Sequence, residues 1–330
     1  AVGLPLAHDL TQVDAERQTK GARFRRGHLL APEDLPVLRK MGRLNLSVLD
    51  LEEGEVHEDE AARSRAEALC GEGLEIEGPE EGRCRLVSTR KGVARFDPER
   101  VKRVNLDREW SFGTCPANAI VEPGSTVAAF RILPLALKRA SRERAVREAS
   151  PFSVRPFLPL GVGLVTTGSE IKAGLVKYAV CGKLLRKLEE LGGSFAGQRF
   201  CGDGAEEIRE SVRELLHSGA DIVICTGGMS VDADDRTPEA IRSVADEVLC
   251  RGVPAMPGSN LMLARAGESW VVGASACAAH EERTSLDRLL IALFAGLGEE
   301  IDVKNWGIGG LCSRCRVCSF PDCDFARLPA

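Results

Sequence analysis

The second half of this 330-residue chain predicts an α/β fold, a three-layer αβα domain built on a mostly parallel sheet. Three observations predict it. Short apolar runs alternate with longer amphipathic stretches over residues 156–300. Several of the apolar runs end in a polar, glycine-containing turn. Several of the amphipathic stretches start or stop on a cap residue.

Taken in order, "LGVGLVTTG" is an apolar run ending in a turn. "LVKYAVCGKLLRKLEELGG" is an amphipathic helix with Leu184, Leu188 and Leu191 on one face and a Gly-Gly stop. "GSFAGQRFC" is a strand. "GAEEIRESVRELLHSG" is a helix with Ile208, Val212, Leu215 and Leu216 on one side, and "ADIVIC" is a strand. "TPEAIRSVADEV" is a helix with Thr237 at its N-cap and Pro238 at the first helical position. "SWVVGAS" is a strand, and "TSLDRLLIALFAGLG" a final helix capped by Thr284.

Upstream, residues 1–155 predict smaller mixed α+β modules. "GARFRRGHLLAPEDLPVLRKMG" predicts a turn, a short strand, and a helix entered at Ala31-Pro32 and stopped by Gly42. "LNLSVLDL" alternates like a strand. "HEDEAARSRAEALCGEG" is a charged helix ended by glycine, and short strands and turns follow as far as "STVAAFRILPL". Residues 134–150 form a polar, basic connecting helix, a solvated face or a surface for an anionic ligand. Three segments are expected: 1–155, 156–300 and a Cys-rich tail, 301–330.

Composition excludes several classes. Hydrophobic residues make up 44% and charged residues 28%, as in ordinary globular chains, and net charge is −5. A nucleic-acid groove needs a basic excess, so no nucleic-acid partner is expected. No apolar run reaches the ~18 residues of a membrane span. No signal-peptide pattern opens the chain, and a cytoplasmic location is expected. Eight of the twelve cysteines are scattered singly in or beside apolar segments, where a buried thiol acts as a small hydrophobe.

Ligands of parallel sheets bind in the crevice at the carboxyl ends of the strands. Four segments converge there: "TTGSE", "CGDGAEE", "TGGMSVDADD" and "GASAC". Their chemistry suits a phosphate-bearing ligand. Gly227 and Gly228 expose backbone N–H groups, and Thr167, Thr226 and Ser230 supply hydroxyls. The helix starting near Pro238 adds partial positive charge. Asp203, Asp232, Asp234 and Asp235 suit ligand amino or hydroxyl groups, or Mg²⁺. A capping role for Asp234 or Asp235 is the alternative.

At these residues the sequence resembles the molybdopterin-binding domain of molybdenum-cofactor biosynthesis proteins, the adenylyltransferase and molybdotransferase group. The resemblance rests on "TTGSE", on "ADIVICTGGMSVDADDRTPEAI" and on a later "PG". It implies molybdopterin in the crevice, with Mg²⁺ and ATP if the protein is an enzyme. It implies catalytic roles for Asp235 and Asp203. Thr167, Gly168, Ser169, Glu170, Thr226, Gly227, Gly228, Met229, Ser230, Asp232, Asp234, Pro257, Gly258 and Ser275 are the expected ligand-binding residues. Met229-Ser230 is closer to the molybdotransferase branch, and "DDRTPEA" to the adenylyltransferase branch. Two reactions therefore stand open, adenylyl transfer to molybdopterin and molybdate insertion. Cofactor storage, delivery or sensing for a molybdoenzyme client is a third role, and nucleotide hydrolysis a fourth. A homo-oligomer, trimer or dimer, is also implied.

The tail "GIGGLCSRCRVCSFPDCDF" holds Cys312, Cys315, Cys318 and Cys323 in a C-x2-C-x2-C-x4-C pattern. Four thiolates so close in sequence can hold Zn²⁺ or an iron–sulfur cluster. Disulfides, free thiols, or sulfur capture of molybdenum or the cofactor are the alternatives.

Overall fold

The computed structural model describes residues 2–14, 19–48, 50–168, 180–230, 232 and 234–327. The strands of the first half are β1 (Leu10–Asp14), β2 (Thr19–Phe24), β3 (Glu55–His57), β4 (Leu74–Glu80), β5 (Arg83–Ser88), β6 (Gly92–Arg95), β7 (Trp110–Thr114), β8 (Ile120–Val121), β9 (Thr126–Ile132), β10 (Ala136–Lys138) and β11 (Ser153–Pro156). Its helices are α1 (Asp34–Lys40), α2 (Glu58–Leu69), α3 (Pro98–Val104) and α4 (Arg139–Arg147). The second half has β12 (Gly161–Thr167), β13 (Ser194–Cys201), β14 (Ile222–Thr226), β15 (Glu247–Arg251), β16 (Met262–Ala266) and β17 (Ser269–Ala274). Its helices are α5 (Val180–Leu191), α6 (Ala205–His217), α7 (Thr237–Val244), α8 (Cys277–His280) and α9 (Ser285–Phe294).

Two compact units result. One comprises Ala1–Arg90, Phe96–Cys115 and Glu122–Ser153; the other comprises Lys91–Arg95, Pro116–Val121 and Val154–Ala330.

The first unit holds an antiparallel sheet in the order β4-β5-β9-β7, with α2 packed on it. The small residues Ala61, Ala62 and Ala66 are fully buried, which lets α2 lie close to its neighbours. A separate cluster of Leu6, Leu10, Phe24, Leu30 and Leu38 joins β1, β2 and α1. Two expectations change here. "LNLSVLDL" forms no strand among its described residues; only a bridge from Leu6 to Val48 forms, and Leu44 is exposed. Alternation lacked a partner strand to pair with. Conversely, "DPERVKRV", expected among strands and turns, is α3. Asp97 accepts from the Glu99 and Arg100 N–H groups, and Pro98 fits the first turn.

Glu58, the first residue of α2, is only 3% exposed. Burial, with the negative charge of Asp59 adding to it, raises its carboxyl from 4.5 to about 7. The folded chain therefore keeps a proton that the unfolded chain has lost, and stability falls as pH rises from about 4.5 to about 7. Above that window the loss is complete. Glu58→Gln is expected to flatten this slope and to raise stability at pH 8 by roughly 2–3 kcal/mol. Urea midpoints measured across the window check it; an unchanged slope contradicts it.

The second unit confirms the three-layer α/β fold. Its sheet runs β13-β12-β14-β17-β16-β15. β12, β13, β14 and β17 are parallel, while β16 runs antiparallel to both its neighbours, β17 and β15. Alternate side chains separate the layers. Leu164, Ile222, Ile224 and Val272 join Leu184, Leu188 and α9 on one face. Val165, Val223, Cys225 and Val271 join Ile208, Val212, Leu215 and Ile241 on the other. A smaller sheet, β11-β6-β8, lies outside the main one.

The antiparallel pair was not expected. The helix anticipated through Val248 ends at Val244, and the chain goes straight into β15. Val248, Leu249 and Cys250 are β-branched or apolar and gain the ladder to β16 by leaving the helix. The cap of α7 also differs. Arg236 occupies the N-cap without a side-chain hydrogen bond, and Thr237 and Pro238 lie in the first turn. Thr284 caps α9 as expected, through a capping box with Asp287.

Candidate functional site

Sheet register sets the site. Thr167 is level with Cys201, Thr166 with Thr226, and Thr226 with Ala274. The four parallel strands thus end at one edge. The turns carrying Gly168, Asp203, Gly227–Ser230 and Ser275 leave from that edge. β16 runs the other way and starts there, with Met262 opposite Gly273. The Pro257-Gly258 turn, which leads into β16, therefore reaches the same edge from the opposite chain direction. Ser169 and Glu170 lie outside the described residues.

The loop after β14 is closely packed. Gly227 and Gly228 have φ of 94° and 58°, in the left-handed region. A Cβ on Gly227 would lie 2.5 Å from Thr167 Oγ1 and 2.6 Å from the Thr167 carbonyl oxygen. A Cβ on Gly228 would meet Thr237 Oγ1 at 2.7 Å. Thr237 lies inside the first turn rather than at the cap, and its hydroxyl donates to the Gly227 carbonyl at 2.8 Å, tying α7 to the loop. Below, the Thr167 hydroxyl donates to Thr226 O at 3.4 Å, and the Thr226 hydroxyl to Val165 O at 3.3 Å. Both threonines are buried, so their hydroxyls brace the strand ends.

Met229 is 5% exposed, and its side chain drops into the core. It occupies the space over Gly273, where a Cβ would come within 2.5 Å of its terminal methyl. Of this expected ligand-binding residue, only the backbone borders the edge. Ser230, Asp232 and Asp234 are exposed, as is Asp203. Asp235 is half-buried, with its N–H bonded to Asp232 O at 3.0 Å. Its carboxylate does not cap α7, and its Oδ2 is buried with no hydrogen-bond partner. A buried carboxylate oxygen left unpaired is costly, and a ligand N–H or O–H, or a cation, would relieve it.

The Pro257-Gly258 turn is fixed by α9. Ser285 N–H donates to Pro257 O at 3.1 Å, and its hydroxyl to Gly258 O at 2.6 Å. The tail runs beside this turn. Met256 and Leu311 form a parallel bridge, with Met256 N–H donating to Gly310 O at 2.7 Å and Cys312 N–H to Met256 O at 2.9 Å. Buried Arg288 of α9 holds the tail's far end, donating at 2.6 Å to the carbonyls of both Phe325 and Cys323. Arg283 and Arg288 also lie over the Phe320 ring. Sequence reasoning missed this clamp, because one arginine just before an apolar helix and one inside it carry no motif.

The four tail cysteines are not brought together. Cys315 and Cys318 are exposed, while Cys312 and Cys323 are half-buried against the core. Among the described residues no three His, Cys, Asp or Glu side chains converge as a metal site requires. That statement includes the aspartates of the crevice. Elsewhere Cys84, Cys201 and Cys225 are buried, and burial pushes the Cys225 thiol far above its ordinary range. Among the described helices none is long and apolar enough to cross a membrane.

The family described as a probable molybdopterin binding domain matches residues 163–295. That match covers one domain of the chain and less than half of its length. The matched domain runs from Gly163 in β12 to the end of α9, and so includes every described turn of the crevice. A family described as a domain of unknown function matches residues 1–50.

A CinA-like protein of Mycobacterium avium (strain 104) is 35% identical over 79 residues, 24% of this chain and 18% of that protein. A CinA-like protein of Gemmatimonas aurantiaca is 38% identical over 86 residues, 26% of this chain and 20% of that protein. The matched stretch thus spans about a fifth of the length of these curated relatives. A solved molybdopterin biosynthesis protein from Mycobacterium abscessus is 19% identical and covers 44% of this chain and 100% of its own, with TM-score 0.37. The CinA protein of Thermoplasma acidophilum, of unknown function, is 16% identical, covers 43% and 97%, and has TM-score 0.31.

Proposed function

We propose that this chain binds molybdopterin at the carboxyl edge of the sheet and transfers AMP to it from ATP, a step of molybdenum-cofactor biosynthesis. The buried, unpartnered Oδ2 of Asp235 carries the proposal: within the matched domain, it is an acceptor prepared for a ligand that is not protein. Gly227 and Gly228 leave their loop without side chains, so backbone N–H groups can approach a phosphate. Thr226, Thr167, Gly168, Met229 and Ser230 border the same turns, with Asp232, Asp234, Pro257, Gly258 and Ser275 around them.

In the reaction a phosphate oxygen of molybdopterin attacks the α-phosphorus of ATP. The new P–O bond forms as the α–β bond breaks, and pyrophosphate leaves. Mg²⁺ arriving with ATP supplies neutralisation of the charge that develops on the phosphates. Asp235 and Asp203 are the residues that would hold it, together with the phosphates themselves. One or two carboxylates suffice for that, so a preformed protein cage is unnecessary. The backbone at Gly227 and Gly228 orients the attacked group. In this reading residues 156–300 carry the chemistry, and residues 1–155 and 301–330 flank it.

Asp235→Ala is expected to lower pyrophosphate release from MgATP and molybdopterin about 100-fold or more. Full activity in the variant contradicts the assignment. Molybdopterin bound without any nucleotide turnover would instead support a storage or delivery role.

A further inference from the structure

One cavity of the first unit, of about 330 Å³, is remote in sequence from the matched domain. Its walls come from α2, α3, α4 and the start of β7. Four arginines line it, Arg65, Arg100, Arg103 and Arg144, against two carboxylates, Asp107 and Glu148. The carboxylates do not use up the cations. Arg144 is paired with Asp107 at 2.8 Å. Arg100 reaches the Glu148 backbone carbonyl at 3.1 Å rather than its carboxylate, and its Nε pairs at 3.5 Å with Asp97, outside the lining. Arg103 is exposed.

Arg65 is the informative residue. It is 2% exposed, lies over the Trp110 ring at 5.6 Å, and its buried Nε has no hydrogen-bond partner. Burial lowers its guanidinium to about 10, with the charge of Glu148 opposing the shift. A planar cation with an unused donor, facing a cavity with a cationic excess, is suited to a phosphate or another oxyanion. Trp110, Val104 and Ala145 give the same cavity apolar wall for an organic group.

We propose that this cavity is an anion site for a compact phosphate group, free or carried as a monoester, with Arg65 at its base and Arg103 at its rim. The charged oxygens take the guanidinium donors. The organic part of an ester lies against Trp110. This site is separate from the crevice and does not depend on the reading given there.

Isothermal titration of the full chain tests it with inorganic phosphate, ribose 5-phosphate and ribose as probes. Saturable binding of the phosphate probes is expected, none of ribose, and weakening as salt is added. Arg103→Glu, on an exposed helix position, is expected to weaken binding at least tenfold while leaving the circular dichroism spectrum unchanged. Arg65→Met is expected to abolish binding; if that variant fails to fold, Arg103→Glu still decides. Equal affinity for both probes marks a free-phosphate site, and tenfold preference for ribose 5-phosphate marks an ester site. No saturable binding of either probe overturns the proposal. Binding that Arg103→Glu leaves within twofold overturns it as well.

Discussion

Gly227→Ala is expected to cost about 3 kcal/mol of stability and to reduce molybdopterin binding more than tenfold. Two effects add. An alanine at φ 94° sits in backbone space that L residues avoid, a cost of roughly 1–2 kcal/mol. The new Cβ also meets the Thr167 carbonyl at 2.6 Å. That carbonyl belongs to the end of β12, which is paired on both sides, so it has little freedom to retreat. Either the loop lifts or the strand end shifts, and in both cases the turn that holds Asp235 moves. Gly182→Ala is the control. It lies inside α5 with nothing among the described residues within 4 Å of a new Cβ, and is expected to gain roughly 0.5–1 kcal/mol. Thermal or urea unfolding of the two variants, with a binding titration, checks the contrast.

Asp287→Ala is expected to destabilise the second unit by roughly 3–5 kcal/mol. Its side chain is 2% exposed and serves three partners. It accepts from Thr284 N–H at 2.8 Å, closing the capping box of α9. It pairs with Lys187 of α5 at 2.9 Å and with Arg283 at 3.2 Å. Removal leaves two cations poorly solvated and one helix start uncapped. Losing a cap alone costs about 1 kcal/mol, so most of the effect is electrostatic. Asp287→Asn keeps an acceptor for the cap and loses the charge, and an intermediate loss is expected. The same helix start holds the Pro257-Gly258 turn through Ser285, so ligand binding should weaken alongside stability. A loss below 1 kcal/mol in the alanine variant contradicts this account.

The legible parts of the fold were those with local periodicity. Leu184, Leu188, Ile208, Val212 and Leu215 are buried on the faces their spacing indicated. The strands that end at Thr167, Cys201, Thr226 and Ala274 also end where their turns suggested. Legibility failed where long-range pairing decides. β15 reads as the end of a helix until β16 is beside it. "LNLSVLDL" reads as a strand, yet only Val48 of its described residues finds a bridging partner.

At the site, the glycine pair stood out from chemistry alone, while Asp235 was one of four candidate aspartates until the resemblance singled it out with Asp203. The inward turn of Met229 did not, because it depends on the empty space over Gly273. Nor did the cavity around Arg65, whose arginines come from three helices far apart in sequence. Residues 134–150 read as a solvated face or a surface for an anion, and of the arginines of that helix only Arg144 lines the cavity.

Equilibrium binding of molybdopterin to the full chain, under anaerobic conditions, tests the central claim most directly. Saturable binding is expected, at least tenfold weaker in Asp235→Ala while that variant keeps its unfolding midpoint. No saturable binding to the intact protein, or equal binding by Asp235→Ala, would contradict the assignment of the strand-end crevice.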